Sequence, residues 1–157
     1  MIVVPDAGPL IYLAGARHLG LLPALYTEVV VSRSVFDEVV VRGAGLPGAT
    51  EVSEARWLRV EDAPPDPLLL RFLDHGEASA IPLAERLHAA LLADDADARR
   101  IAAARGLVVV GTLGVLLAAK NRGLIPAVAP IVRQMESLGM YVSDSLRNRV
   151  LQLAGEG

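Results

Sequence analysis

The sequence contains no cysteine. That excludes a disulfide framework, a thiolate metal centre and a cysteine nucleophile. It also suits a cytosolic, cytoplasmic setting. Aromatic residues make up only 4% of the chain, too few for RNA binding built on rows of stacked rings. Lys120 is the one lysine among 15 basic residues, and the net charge is −3. A chain that holds nucleic acid by bulk electrostatics is usually basic. Any nucleic-acid contact here is therefore local, weak or shared with a second subunit. No apolar run approaches the ~20 residues needed to span a bilayer, so no membrane association is expected. The start, Met-Ile-Val-Val-Pro-Asp, has no basic segment and reads as a buried strand, not a secretory signal. His18, His75 and His88 are scattered, and none stands at metal-ligand spacing.

What the chain does have is apolar mass. Hydrophobic residues are 53% of its 157, enough for a sizeable core in a single domain spanning residues 1–157. Only residues 154–157 are expected to be disordered. Ile2-Val3-Val4, Glu28 to Val31, Trp57 to Val60, Ala89 to Ala93 and Leu107 to Val110 read as short strands. Helical spacing recurs between them. The expected helices are Leu10 to Ala14, His18 to Tyr26, one capped by Ser32 or Ser34, Ala49 to Ala55, Leu68 to Leu73, Glu77 to His88, Asp97 to Arg105, Thr112 to Asn121, Ala127 to Leu138 and Ser143 to Leu153. Pro82 interrupts the helix that begins at Glu77 and is expected to kink it. Residues 63–67 form a proline-rich linker. Val-rich strands alternating with helices give an α/β fold with a parallel sheet covered on both faces. There is no internal repeat and no low-complexity tract.

In open parallel sheets, ligands bind beyond the carboxyl ends of the strands. Asp6 directly follows the first strand. Asp94 and Asp95 follow the fourth, and Thr112 follows the fifth. Glu38 lies one turn into the helix after the second strand, and Glu77 opens a helix after a glycine. Taken singly, each acid has an ordinary explanation. Asp6 and Asp95 suit helix caps, Glu38 suits a solvated helix face, and Glu77 suits a favourable first-turn charge. Together they crowd one end of the sheet, where repulsion would raise their pKa values or push them apart. A hard divalent cation resolves that crowding. With no cysteine and no ligand-spaced histidine, Mg²⁺ or Mn²⁺ is the expected ion. Such an ion can activate water against a phosphodiester.

Five stretches carry a family likeness. They are residues 2–11 (IVVPDAGPLI), 34–39 (SVFDEV), 76–81 (GEASAI), 91–99 (LLADDADAR) and 111–120 (GTLGVLLAAK). In this order the chain resembles the PIN-domain nucleases, and more closely the small VapC-like branch described as domain of unknown function 3368. The resemblance implies a PIN-like three-layer α/β/α domain with a short, mainly parallel sheet. It implies Asp6, Glu38, Glu77 and Asp95 as the catalytic, metal-binding acids, and it is what selects Asp95 over Asp94. It adds Asp97 as an accessory metal ligand and Thr112 as a hydroxyl beside the site. It also implies cleavage of single-stranded RNA, a toxin role checked by a cognate antitoxin, and a homodimer. Two features touch the site. Pro82 stands where a smooth helix is expected and would shift Glu77. The third acid is a glutamate, as is usual in this branch, where other PIN branches carry aspartate.

Arg33, Arg99, Arg100, Lys120 and Arg122 could grip phosphates, although each also reads as a solvated helix face. Arg99 is the first choice, being one turn from Asp95, where it could equally orient that acid. Trp57 reads as packing. Two other classes stay in view. One is a PIN-fold interaction module with little catalysis. The other is a phosphoaspartyl enzyme or receiver, disfavoured because Gly8 stands two residues after Asp6 and because the acid pair comes late in the chain.

Overall fold

Val3 and Val4 are adjacent in the chain yet lie in two different cores. Successive strand side chains point to opposite faces. Val3 packs with Leu10, Val29, Val31 and Leu116. Val4 packs with Val30, Ile81, Leu83 and Leu91. A strand apolar on both sides must be covered on both sides. The computed structural model, which describes residues 1–157, has that arrangement.

Five strands form one sheet: β1 (Ile2–Pro5), β2 (Glu28–Ser32), β3 (Leu58–Glu61), β4 (Ala90–Leu92) and β5 (Val109–Val110). Their order is β3-β2-β1-β4-β5, and every neighbouring pair is parallel. Nine α-helices connect them: α1 (Ala7–Gly15), α2 (Leu21–Leu25), α3 (Arg33–Phe36), α4 (Ala49–Glu54), α5 (His75–Leu87), α6 (Ala96–Ala104), α7 (Thr112–Asn121), α8 (Ala129–Ser137) and α9 (Asp144–Leu153). Helices α5 and α6 supply one core, and α1, α2, α4, α7, α8 and α9 supply the other. The expected three-layer α/β/α architecture with a parallel sheet is what is found. No helix is long and apolar enough to cross a membrane.

Several boundaries differ from the expectation. The helix expected over His18 to Tyr26 shortens to α2, because the chain first turns through Arg17 at φ 63° and Gly20. Leu68 to Leu73 holds only a 3₁₀ turn, Leu69–Arg71, before Asp74 starts a new helix. After α3 the chain widens into a π-helical segment, Asp37–Arg42. Ser32, not Ser34, caps α3, accepting a 3.1 Å bond from the Val35 amide.

Pro82 does not break α5, which is helical from His75 to Leu87. Lacking an N–H, it leaves the Ala78 carbonyl without a donor from its own helix. The amide of Asp66, in the proline-rich linker, donates to that carbonyl at 3.0 Å. The C-terminal segment also departs from the expectation of disorder. Glu156 accepts from the Val128 amide at 2.7 Å and the Ala129 amide at 3.0 Å. Its other contact is Lys120 Nζ at 2.9 Å. The end of the chain is thereby tied to the start of α8 and the end of α7. Tail order here depends on one acid meeting two free amides and the only lysine, which composition does not reveal.

Candidate active site

The strand order creates the site. From β1 the chain winds outward through β2 and β3, then crosses back to β4 on the other side of β1. Helix α1 leaves β1 toward one face, and α6 leaves β4 toward the opposite face. The two connections diverge and open a crevice at the carboxyl ends of β1 and β4, the topological switch point of the sheet. Asp6 is the residue before α1 and Asp95 the residue before α6, so the two acids stand on opposite lips.

Asp6 occupies an N-cap position, but its side chain makes no capping bond. Its carboxyl is instead pushed up to about 7. Burial is the main cause, with the charges of Asp74, Glu38 and Asp94 adding to it, while the Ala7 amide works the other way. A carboxylate held in that state without a cap bond is unusual for a structural aspartate.

Glu38 lies in the π-helical segment. Burial and the charge of Asp74 raise its pKa, and Arg42, one turn on, lowers it. Such segments often fall at functional sites. Gly76 shows how close the elements come. A Cβ placed on it would lie 3.1 Å from Glu38 Oε1 and 3.3 Å from Asp6 Oδ1. The bare backbone of α5 thus forms a wall against both carboxylates.

Glu77 is raised to about 8, first by burial and then by the charges of Asp6, Asp74 and Asp95. It shares a narrow void with Asp6, Ala93 and Ala98. Pro82 has therefore not turned it away from the cluster. Its carboxylate is also engaged locally. Asp74 accepts from the Glu77 amide at 2.8 Å, and Glu77 accepts from the Asp74 amide at 3.3 Å, forming a capping box. Asp95 similarly caps α6 through the Ala98 amide at 3.0 Å.

The other expected residues divide. Thr112 is fully buried, and both its amide and hydroxyl donate to Asp94, at 2.8 and 2.6 Å. Leu92 pairs with Val110, so two residues further along Asp94 stands opposite Thr112. Asp97 is not drawn into the crevice. It is exposed and pairs with Arg100 at 2.8 Å. Arg99 donates to the Ala93 carbonyl at 2.8 Å, just before the acid pair. Trp57 is half-buried against the larger core.

Two acids of the cluster, Asp74 and Asp94, are not among the expected site residues. Asp74 has a local signal that could have found it, since Asp-x-x-Glu before an apolar run is the signature of a capping box. Asp94 was passed over for Asp95, although β4–β5 pairing places it against Thr112. The acids whose charges act on one another here are thus six: Asp6, Glu38, Asp74, Glu77, Asp94 and Asp95. No three of them converge tightly enough to form a ready-made cage for an ion. The set nevertheless suits a hard cation in its chemistry, being all oxygen donors and destabilised by mutual charge.

A family model described as a PIN domain, domain of unknown function 3368, matches residues 2–156. Among solved structures, the chain is similar to a PilT N-terminus domain protein from the hyperthermophilic archaeon Sulfolobus solfataricus P2. The two share 21% identity at a TM-score of 0.56, over 76% of this chain and 93% of the other. At that identity the likeness speaks for the fold. No curated protein sequence matches the chain.

Proposed function

The chain belongs to the PIN-domain family, whose members are generally nucleases, and from that premise we propose that it is a metal-dependent endoribonuclease acting on single-stranded RNA. The observation that supports this most is Asp6. It sits at the switch point, makes no capping bond, and is pushed up to about 7 by burial and neighbouring acids. Burial and neighbouring acids leave that carboxylate unfavourable, and a cation would relieve it.

In this reading Asp6, Glu38, Glu77 and Asp95 would hold Mg²⁺ or Mn²⁺, while Asp97, paired with Arg100, would stay outside the set. The ion, when bound, supplies a water of lowered pKa and stabilises charge on the attacked phosphodiester. The chain's own residues set the frame. Asp94 holds the Thr112 hydroxyl at the lip of the crevice. Arg99 fixes the backbone at Ala93, from which Asp94 and Asp95 extend. Gly76 lets α5 approach closely enough to crowd Asp6 and Glu38 together.

The proposal extends to a VapC-like toxin role in the cytoplasm, with a cognate antitoxin protein as partner and a homodimer as the working form. A second reading, an interaction module with little catalysis, draws support from the local bonds of Glu77 and Asp95. Purified protein incubated with single-stranded RNA and Mg²⁺ or Mn²⁺, beside Asp6→Asn, separates the two. Cleavage by the wild type that is lost in the variant supports the nuclease. Equal cleavage by both, or none by either, sinks it.

A further inference from the structure

A strand of RNA brings negative charge to a crevice already crowded with acids. A nuclease built this way needs a cation beside the site, free to meet a phosphate. Most of the cations considered from sequence are already engaged. Arg33 faces Asp62 at 3.6 Å, Arg100 faces Asp97, Arg99 is bonded to the Ala93 carbonyl, and Lys120 holds Glu156. Arg122 follows α7 at its far end, about 15 Å from the Thr112 end by helical rise.

Arg42 differs from all of these. It ends the π-helical segment one turn from Glu38, is exposed, and takes part in none of the ten ion pairs of the chain. It lines an open cleft of about 480 Å³ with Ser34, Glu38, Asp74 and His75. That cleft has no hydrophobic wall and contains two of the site's acids. A second polar cleft, of about 400 Å³, shares Ser34 and Arg42 with the first and runs by Arg33, Pro64 and Pro65, with Asp37 and Asp62 also in its lining. Arg42 therefore stands where two polar clefts meet, on the route that leads outward from Glu38.

We infer that the cleft between Arg42 and His75 is the track by which the RNA backbone enters the site, with the Arg42 guanidinium binding a phosphate next to the scissile one. This rests on the nuclease reading above and adds a positioning residue to it. Arginine suits the task, since its planar fork can engage two phosphate oxygens at once. The Ser34 hydroxyl and the His75 ring offer further donors along the same wall. The charge of Arg42 also offsets Glu38, so the alternative is that it serves the carboxylate alone.

The test is binding of a cleavage-resistant, 2′-O-methylated single-stranded oligonucleotide, followed by anisotropy across a salt series. Wild type, Arg42→Ala, Arg42→Lys and Arg149→Ala are compared. Arg149 is an exposed arginine on α9 that lines neither cleft. Loss of one phosphate contact weakens binding roughly tenfold and reduces the slope of log affinity against log salt by about 0.7. Arg42→Ala is expected to show both effects, Arg42→Lys to recover most of the slope, and Arg149→Ala to match the wild type. An unchanged affinity and slope in Arg42→Ala, with wild-type cleavage intact, overturns this inference alone. An equal loss in Arg149→Ala also overturns it, by reducing the effect to net charge. A wild type that neither binds nor cleaves RNA overturns it together with the nuclease reading.

Discussion

The hydroxyl of Ser32 donates to the hydroxyl of Ser79 across 2.8 Å, inside a core where both residues are fully buried. The direction follows from counting protons. Ser79 gives its only one to the Gly76 carbonyl, so Ser32 must be the donor. Ser32 also accepts from the Val35 amide. This short chain of bonds links the end of β2 and the start of α3 to the first turn of α5. Glu38 lies beyond one end of it, and Gly76 and Glu77 lie at the other.

Ser79→Ala leaves the Ser32 proton without an acceptor in a dry core. An orphaned buried donor costs about 1–3 kcal/mol. The urea midpoint is expected to fall accordingly, with the slope of the transition unchanged. A variant as stable as the wild type would remove the hydroxyl pair from the list of supports.

Asp6→Asn is expected to raise the melting temperature of metal-free protein while abolishing cleavage. It takes one charge out of a cluster in which Asp74, Glu38 and Asp94 all oppose Asp6. Sites built from unfavourable groups commonly exchange stability for activity in this way. Addition of Mg²⁺ or Mn²⁺ should raise the melting temperature of the wild type, because a ligand bound only by the folded state stabilises it. The variant should respond less. Identical ion responses in the two proteins would place any bound ion elsewhere.

Gly76→Ala introduces a methyl group 3.1 Å from Glu38 Oε1 and 3.3 Å from Asp6 Oδ1. The backbone at this point is ordinary helix, so circular dichroism should be unchanged. The two carboxylates, and the Val35 methyl at 3.3 Å, must move aside. Displacements below an ångström in a catalytic set can cost on the order of tenfold to a hundredfold in rate. Wild-type cleavage by this variant would show that the close approach of α5 does not matter for chemistry.

Glu156 gives a pH dependence of opposite origin to the site acids. Amides of Val128 and Ala129, then Lys120, hold its carboxyl down to about 2, below the ordinary value of 4.5. The folded state therefore favours the ionised form. The stabilisation is complete above about 4.5 and is lost as the pH falls through about 2. Thermal melts of wild type and Glu156→Gln should differ at neutral pH and converge in acid. A gap that does not change with pH would mean that the carboxylate charge is not what fastens the tail.

Valine patterning made the fold legible. Alternate residues of β1, β2 and β4 face two cores, so continuous apolar runs announce a covered parallel sheet. The places of Asp6 and Asp95 follow from that sheet. Their conduct does not. Asp95 spends a carboxyl oxygen on its own helix and Asp6 does not, a difference set by local backbone angles and burial. Asp94 was hidden because its partner, Thr112, is distant in sequence and becomes a neighbour only through strand register. The widened turn at Asp37–Arg42 was hidden too, since packing, not propensity, decides where a helix takes an extra residue. With it went Arg42, whose freedom is visible only once the partners of the other cations are known.

Proline 82 has a final consequence. The linker from Asp62 to Leu68 is the least regular span beside the crevice. Its midpoint is nonetheless pegged, with the Asp66 amide on the Ala78 carbonyl and the Asp66 carboxylate on Arg105 at the end of α6. A residue that deprives α5 of one internal bond thereby provides the mooring for the strap laid across it. Helix and strap share that mooring, so a change at Pro82 reaches the linker as well as α5.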